Sequence, residues 1–400
     1  LSQQGDQASP LDVYLVAGEQ SGDELGARLM ASLRIARPEV HFRGVGGPAM
    51  TAGGLQSLFP MSDIAVMGFL PVIAKLPTLL ARIRETADEI IARSPDALVI
   101  IDSPDFTHRV ARRVRKALPA LRIIDYVSPT VWAWRPGRAR KMRAYVDHVL
   151  ALLPFEPDAH RRLGGPACTY VGHPLIERLD ELRGDDEDAR ARAADPPSIL
   201  ILPGSRRSEI AKLLDVFGET VDRVAREIPD ATFVLPAVAH LEADIRARVA
   251  TWRVQPKIVT GDAAKFAAFR RARAALAASG TVTLELALAG VPAVVGYRVP
   301  KIEELIIRAL ATASSFVLSN IVLGENAIPG FLQEDCNPGT LAATLMPILR
   351  DGPERAAQLA ALSRLDAIMR LPNRETPSAR AAQIILDIAE NEKRPPEGGL

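Results

Sequence analysis

The sequence predicts an α/β protein made of two Rossmann-like halves. Three observations predict it. Short apolar runs recur along the chain, each followed by a small or polar turn and then by a helical pattern, which is the rhythm of parallel strands with crossover helices. That rhythm breaks once, at a charged stretch covering 176–197. The chain has 400 residues, enough for two ordinary domains. The expected division is 11–175, a linker at 176–197, a second domain at 198–372, and a closing helix at 373–392 that packs back on an N-terminal domain. Tails at 1–10 and 393–400 flank these.

Composition narrows the class. Apolar residues make up 48% and charged residues 24%, as in a globular protein with real cores. The net charge of +1 gives no overall field for nucleic acid. The two cysteines, Cys168 and Cys336, stand far apart and in no metal spacing, which fits a reducing compartment. The first ten residues carry neither a basic start nor an apolar core, so no secretory signal is expected there. No apolar run is long enough to span a bilayer.

In the first half, Leu11–Ala17 reads as a buried strand, and a helix is expected from about Asp23 to Ala36 with Leu25, Leu29 and Leu33 inward and Asp23 as its cap. The loop between them, Gly18 to Asp23, sits at a strand's carboxyl end, where α/β sheets place ligands. Glu19 is the reactive group there, or else a carboxylate capping the helix. His41–Val45 is a short strand, and the glycines from Gly44 to Gly54 read as turns or close backbone approaches rather than a dinucleotide fingerprint. Ile64–Leu80 is strongly apolar, broken by Pro71 and Pro77 and followed by Arg82 and Arg84. It reads as a core helix, half of a dimer contact, or a patch that dips into a membrane surface with Lys75, Arg82 and Arg84 at headgroup level.

Ala97–Ile101 is a central strand that runs into Asp102-Ser103-Pro104-Asp105. A carboxylate in a stiff loop at a strand end suits a general base, although such residues also serve plain turns. Asp102 comes directly off the strand and is the better placed of the two. Leu121–Val127 is the next strand, and its loop carries Trp132, Trp134 and Arg135, a candidate wall for a sugar or phosphate-bearing ligand. Asp147–Leu153 closes the first sheet. The acidic block Asp185–Asp188 lies in the linker and reads as a solvated run.

In the second half, Ser198–Leu202 enters Pro203-Gly204-Ser205-Arg206, an anion-friendly turn before a helix. Strands follow at Thr232–Leu235 and Lys257–Val259. Then Ala274–Ala277 leads through Ser279-Gly280-Thr281 into a helix at Val282–Ala289 and a strand at Val291–Val295. Free N–H groups at that helix start suit a diphosphate, and Glu285, one turn further in, suits ribose hydroxyls. An ordinary α/β unit reads the same way.

Two such halves facing across a cleft, with a nucleotide site in the second, describe a glycosyltransferase of the GT-B type. The residues carry the reading further. GEQSGD (18–23), GVGGPAM (44–50), DSPDF (102–106), YVSPTVWAWRPGR (126–138), LPFE (153–156), VGHPL (171–175), LPGSRRSEI (202–210), ASGTVTLELALAGVPAVVGYR (278–298) and LSNIVLGENAIPGFLQED (318–335) together resemble the lipid-A-disaccharide synthases, from about Val13 to about Ala389.

That resemblance implies transfer of 2,3-diacylglucosamine from a UDP donor to 2,3-diacylglucosamine 1-phosphate. The products are a β-1,6 disaccharide and UDP, with inversion and with neither metal nor cofactor. It implies a protein peripheral on the cytoplasmic face of the bacterial inner membrane, and it allows a homodimer. Asp102 then takes the acceptor proton, with Glu19 and Asp105 as further candidates, and Gly18 and Ser21 belong to the acceptor side. Ser279, Gly280 and Thr281 hold the departing phosphates, Arg206 adds charge, Glu285 holds the ribose, and Asn320 and Gln333 face the donor sugar. Leu70, Val72, Ile73, Leu76, Leu79 and Leu80 form the membrane patch. Competing with this are another UDP-sugar enzyme of the same fold, namely a lipid-linked N-acetylglucosaminyltransferase or a UDP-sugar 2-epimerase, and a silent nucleotide- or lipid-binding module.

Overall fold

A computed structural model describes residues 10–64, 75–299 and 315–390. The chain forms two compact units. The first runs to Pro174 and takes the chain back from Leu371, and the second spans Leu175–Arg370.

The first unit holds strands β1 (Leu11–Ala17), β2 (Val40–Val45), β3 (Gln56–Ser57), β4 (Ala97–Ile101), β5 (Arg122–Tyr126), β6 (His148–Ala151) and β7 (Ala167–Tyr170). They form one parallel sheet in the order β3-β2-β1-β4-β5-β6-β7. Its helices are α1 (Gln20–Ala36), α2 (Pro48–Ala52), α3 (Leu76–Arg93), α4 (Pro104–Ala117), α5 (Gly137–Met142) and α6 (Glu156–Arg162). Alternation along β1 sorts the two faces. Leu11, Val13, Leu15 and Ala17 pack with Leu25, Leu29 and Leu33 of α1, while Tyr14 and Val16 pack with Ile83, Ala87 and Ile90 of α3 and with Val110 of α4.

The second unit holds α7 (Leu179–Leu182), α8 (Asp186–Ala193), β8 (Ser198–Leu202), α9 (Arg207–Glu227), β9 (Thr232–Ala237), α10 (Glu242–Val249), β10 (Lys257–Thr260), α11 (Asp262–Arg271), β11 (Ala274–Ala278) and α12 (Thr281–Leu288). It continues with β12 (Ala293–Tyr297), α13 (Leu318–Leu323), β13 (Gly330–Leu332), α14 (Pro338–Leu349) and α15 (Pro353–Met369). Its sheet is parallel in the order β10-β9-β8-β11-β12-β13. The two sheets share one plan, with strand order reversing between β1 and β4 in the first and between β8 and β11 in the second. Loops leaving the carboxyl ends of such strand pairs diverge and leave a crevice for ligands.

The last helix, α16 (Pro377–Glu390), packs Ala381, Ala382, Ile385 and Leu386 beside α1 in the first core. Arg380 Nε donates to the Tyr170 carbonyl at 3.0 Å, and Arg37 pairs with Glu390.

Three details differ from the sequence reading. The first sheet does not close at 147–153: β7 extends it, a half-exposed strand whose sequence ACTY lacks the apolar run of its neighbours. Asp23 does not cap α1 but lies inside it, and its buried carboxylate accepts from the N–H groups of Gly47, Ala49 and Met50 at 2.7, 2.9 and 3.0 Å, capping α2 instead. The acidic block is solvated at Asp185, Asp186 and Glu187 but not at Asp188. Asp185 caps α8, and the largely buried Asp188 accepts from Arg270 and Arg271 of α11 at 2.8 and 2.7 Å. Burial raises the Asp188 carboxyl, but the hydrogen bonds from Arg271 and Arg270 outweigh it and hold the group below its ordinary value. Arg192 completes the dock by donating to the Phe269, Arg270 and Gly290 carbonyls. This stretch therefore belongs to the second unit rather than forming a free linker.

Candidate active site

In the first unit the crevice lies at the ends of β1 and β4. Asp102 and Ser103 leave β4 with φ of 54° and 45°, two consecutive non-glycine residues in the left-handed region. Such backbone costs on the order of 1–3 kcal/mol per residue and persists only where the surroundings hold it. Here they do. The Asp102 N–H donates to the Tyr126 carbonyl at 3.1 Å, and Thr107 Oγ1 donates to the Asp102 carbonyl at 2.8 Å. The Ser103 N–H donates to Asp102 Oδ1 at 2.8 Å and Ser21 Oγ to Oδ2 at 3.1 Å, so both carboxylate oxygens are aimed.

The glycines of GEQSGD make this approach feasible. A Cβ on Gly18 would lie 2.7 Å from Ser103 Cβ, and one on Gly22 would lie 3.2 Å from the Ile101 carbonyl oxygen. Gly18, Ser21 and Asp102 are thus brought together. Glu19 immediately precedes α1, yet its side chain makes no capping hydrogen bond, so it does not play the capping role that its position suggests. Asp105 stands apart, with a side chain 92% exposed and Arg138 at 3.8 Å.

In the second unit the crevice lies at the ends of β8 and β11, and its two loops differ. After β8, the carboxylate of Glu209 turns back over the loop. It accepts from the Ser205 and Arg206 N–H groups at 3.0 and 3.2 Å and from the Arg206 guanidinium at 3.0 Å. Glu209 already fills two N–H groups of this turn, those of Ser205 and Arg206. The Arg206 side chain itself is 66% exposed. After β11, no side chain among the described residues caps α12. Gly280 is its N-cap, with φ of 156°, and a Cβ there would meet nothing within 4 Å. Thr281 is exposed, and Ser279 Oγ is turned to the Phe316 carbonyl at 2.5 Å.

Glu285 faces inward from α12, with Lys265 Nζ 2.6 Å from its Oε2. Two residues expected at the donor sugar serve the backbone. The buried Asn320 bonds the Ile328 carbonyl and N–H at 2.8 and 2.9 Å. Gln333 accepts from the Val299 N–H at 2.8 Å and donates to its carbonyl at 3.3 Å.

Of the expected membrane patch, Leu70, Val72 and Ile73 lie outside the described residues. Leu79 packs partly on the first core, while Leu76 and Leu80 are 42% and 47% exposed at the start of α3. Arg82 is engaged in ion pairs with Asp63 and Glu85, both at 2.6 Å, rather than free at a headgroup level. Among the described residues, no helix is long and apolar enough to cross a membrane. Sequence reasoning missed Glu209 and Lys265. The Arg206-x-x-Glu209 spacing of a capping box was the available signal for the first, and nothing local pointed to the second.

Comparison with known proteins identifies the family. The lipid-A-disaccharide synthetase family matches residues 13–384. The chain is 56% identical over 384 residues to the lipid-A-disaccharide synthase of Nitrobacter hamburgensis, covering 96% of this chain and 97% of that one. It is 55% identical over 377 residues to that of Rhodopseudomonas palustris strain HaA2, covering 94% and 96%. Among solved structures, a UDP-GlcNAc 2-epimerase from Neisseria meningitidis superposes with a TM-score of 0.59 at 12% identity, covering 94% of this chain and 99% of that one, a likeness of fold alone. Identity of this extent favours the synthase over a 2-epimerase, a lipid-linked N-acetylglucosaminyltransferase or a silent binding module. The chain belongs to the lipid-A-disaccharide synthase family.

Proposed function

We propose that the protein joins 2,3-diacylglucosamine from its UDP donor to 2,3-diacylglucosamine 1-phosphate, giving the β-1,6-linked disaccharide 1-phosphate of lipid A and UDP. The Asp102 carboxylate takes the proton from the acceptor 6-hydroxyl. The freed oxygen attacks the anomeric carbon from the face opposite the phosphate, the carbon–oxygen bond to the diphosphate breaks, and UDP leaves with that electron pair, inverting the centre. The open start of α12 at Gly280 and Thr281, with the Arg206 guanidinium, takes the charge that builds on the diphosphate. Glu285 holds the ribose.

The single observation that carries this reading is the Asp102 carboxylate, held on strained backbone at a strand-order switch point with both oxygens oriented. Glu19 is the second candidate base and Asp105 the third. Asp105 is the weakest, because its carboxylate stands in water.

Both substrates carry acyl chains, and the protein works as a peripheral protein on the cytoplasmic face of the inner membrane. The exposed Leu76 and Leu80 support that placement. Replacing both with serine is expected to lower co-sedimentation with anionic vesicles without changing the melting temperature, and a large fall in melting temperature would make them core residues. The direct test is incubation with UDP-2,3-diacylglucosamine and 2,3-diacylglucosamine 1-phosphate. Disaccharide and UDP in equal amounts are expected, and absence of disaccharide from folded protein overturns the proposal.

A further inference from the structure

The loop from Ser128 to Arg135 follows β5 directly, and its strained ends need an anchor. Val127 has φ of 90° and Arg135 φ of 51°. A β-branched residue at positive φ is a genuine outlier, tolerated only where the surroundings impose it. The anchor is α6. Glu156 is 3% exposed; its Oε1 accepts from the Trp132 indole N–H at 3.1 Å and its Oε2 from the Leu153 N–H at 2.9 Å. The Trp132 ring meets Phe155 edge-on, centroids 5.0 Å apart. One turn along α6, the fully buried His160 places Nε2 2.8 Å from Ser128 Oγ, which lies 3.2 Å from the Pro129 carbonyl. Burial holds the His160 imidazole pKa low, favouring the neutral ring. With its proton assigned to Nε2, the ring donates to Ser128 and the hydroxyl passes a second bond to Pro129.

The outer side of the loop is different. Arg135 lies with its guanidinium carbon 5.5 Å from the Trp134 ring centroid. Beyond it, the Arg138 guanidinium reaches to 3.8 Å from Asp105, next to the Asp102 turn. The same Tyr126 that starts the loop accepts the Asp102 N–H. An aromatic face beside guanidinium groups is what a phosphorylated sugar would meet favourably.

We propose that Glu156 and His160 are positioning residues that lock the Trp132 loop, and that the outer face of this loop, Trp134 with Arg135 and Arg138, receives the phosphate-bearing acceptor sugar. This assignment rests on the transferase reading given above. The loop never touches the reacting atoms; it sets where the acceptor lies relative to Asp102.

The anchor is also sensitive to pH. Burial pushes the Glu156 carboxyl up to about 7 against the hydrogen bonds from Leu153 and Trp132, and Asp125 on β5 pushes it the same way. Cys168 and Tyr170 on β7 face it as neutral groups, their own ionisation suppressed by burial, and His160 shares its helix. A protonated carboxyl loses acceptor capacity, so the Trp132 bond weakens as pH falls through this range.

The test uses the full chain. Glu156→Gln, which turns one acceptor into a donor, is expected to raise the acceptor KM about tenfold, the scale of one hydrogen bond to a charged group, with donor KM and kcat within about twofold. Trp132→Phe keeps the ring against Phe155, removes the indole donor and is expected to act alike. Tryptophan emission of the wild-type protein is expected to shift as pH falls through about 7, and both variants are expected to lose the shift. An unchanged acceptor KM in both variants overturns the proposal. So does a joint rise of both KM values with lost kcat and lowered melting temperature, which would be general loosening. If wild-type protein makes no disaccharide, the transferase reading fails, while emission still decides the anchor: a Glu156→Gln variant whose tryptophan emission matches that of wild type at every pH removes it.

Discussion

The two units share a strand plan and differ in what they set at its switch point. In the first, between β1 and β4, the chain presents carboxylates: Glu19, which caps nothing, and Asp102, which two hydrogen bonds aim. In the second, between β8 and β11, it presents an exposed guanidinium and an uncapped helix start. On the proposed mechanism, one side accepts a proton and the other receives negative charge. The fold supplies the crevice twice, and only the loop residues decide what each crevice does. The second unit adds a contrast of its own. Two helix starts lie side by side in strand order; Glu209 turns back over one, and among the described residues the other carries no side-chain cap. A strand–turn–helix unit is thus no anion site until it is known whether the chain has already supplied the anion.

Three substitutions sharpen or break this comparison. The largest effect is expected from Asp102→Asn, which keeps the side chain's shape but removes the base. Turnover should fall by about 10²–10⁴ with the melting temperature nearly unchanged, measured by disaccharide formation and thermal unfolding. Near-normal turnover would move the base to Glu19. Next is Gly280→Ala. It forces a side chain onto backbone that favours glycine and points it into the open approach to α12. UDP affinity should weaken about tenfold in calorimetry, with a stability cost of about 1–3 kcal/mol. The smallest effect on ligand is expected from Glu209→Ala. It empties the filled loop, so stability should drop by about 1–2 kcal/mol while UDP affinity changes less than in Gly280→Ala. If Glu209→Ala weakened UDP more than Gly280→Ala, the roles of the two loops would be reversed.

Much of this was legible in the residues because the informative features are local. Fully buried parallel strands read as unbroken apolar runs, as in ALVII at 97–101 and ILIL at 199–202. Asp102 was legible because a carboxylate directly after such a run has few places to go. What stayed hidden depends on partners far along the chain. Asp188 looked like part of a solvated acidic block until Arg270 and Arg271, more than eighty residues later, came to rest on it. Trp132 and Glu156 are joined only through the packing of α6. The bonds of Asn320 to the Ile328 backbone are equally hidden, because an asparagine's polarity shows in sequence while the backbone it clamps does not. Glu209 was missed for a different reason: arginine stands at the cap position where serine or threonine would have announced a capping box.

The most direct test of the account is amide hydrogen exchange with and without UDP. UDP is expected to protect the amides of Gly280, Thr281 and Val282 strongly. The Ser205 and Arg206 amides, already bonded to Glu209, should change little, and the loop from Gly18 to Asp23 should not respond. Protection confined to the Gly18–Asp23 loop, with no change at Gly280–Val282, would contradict it.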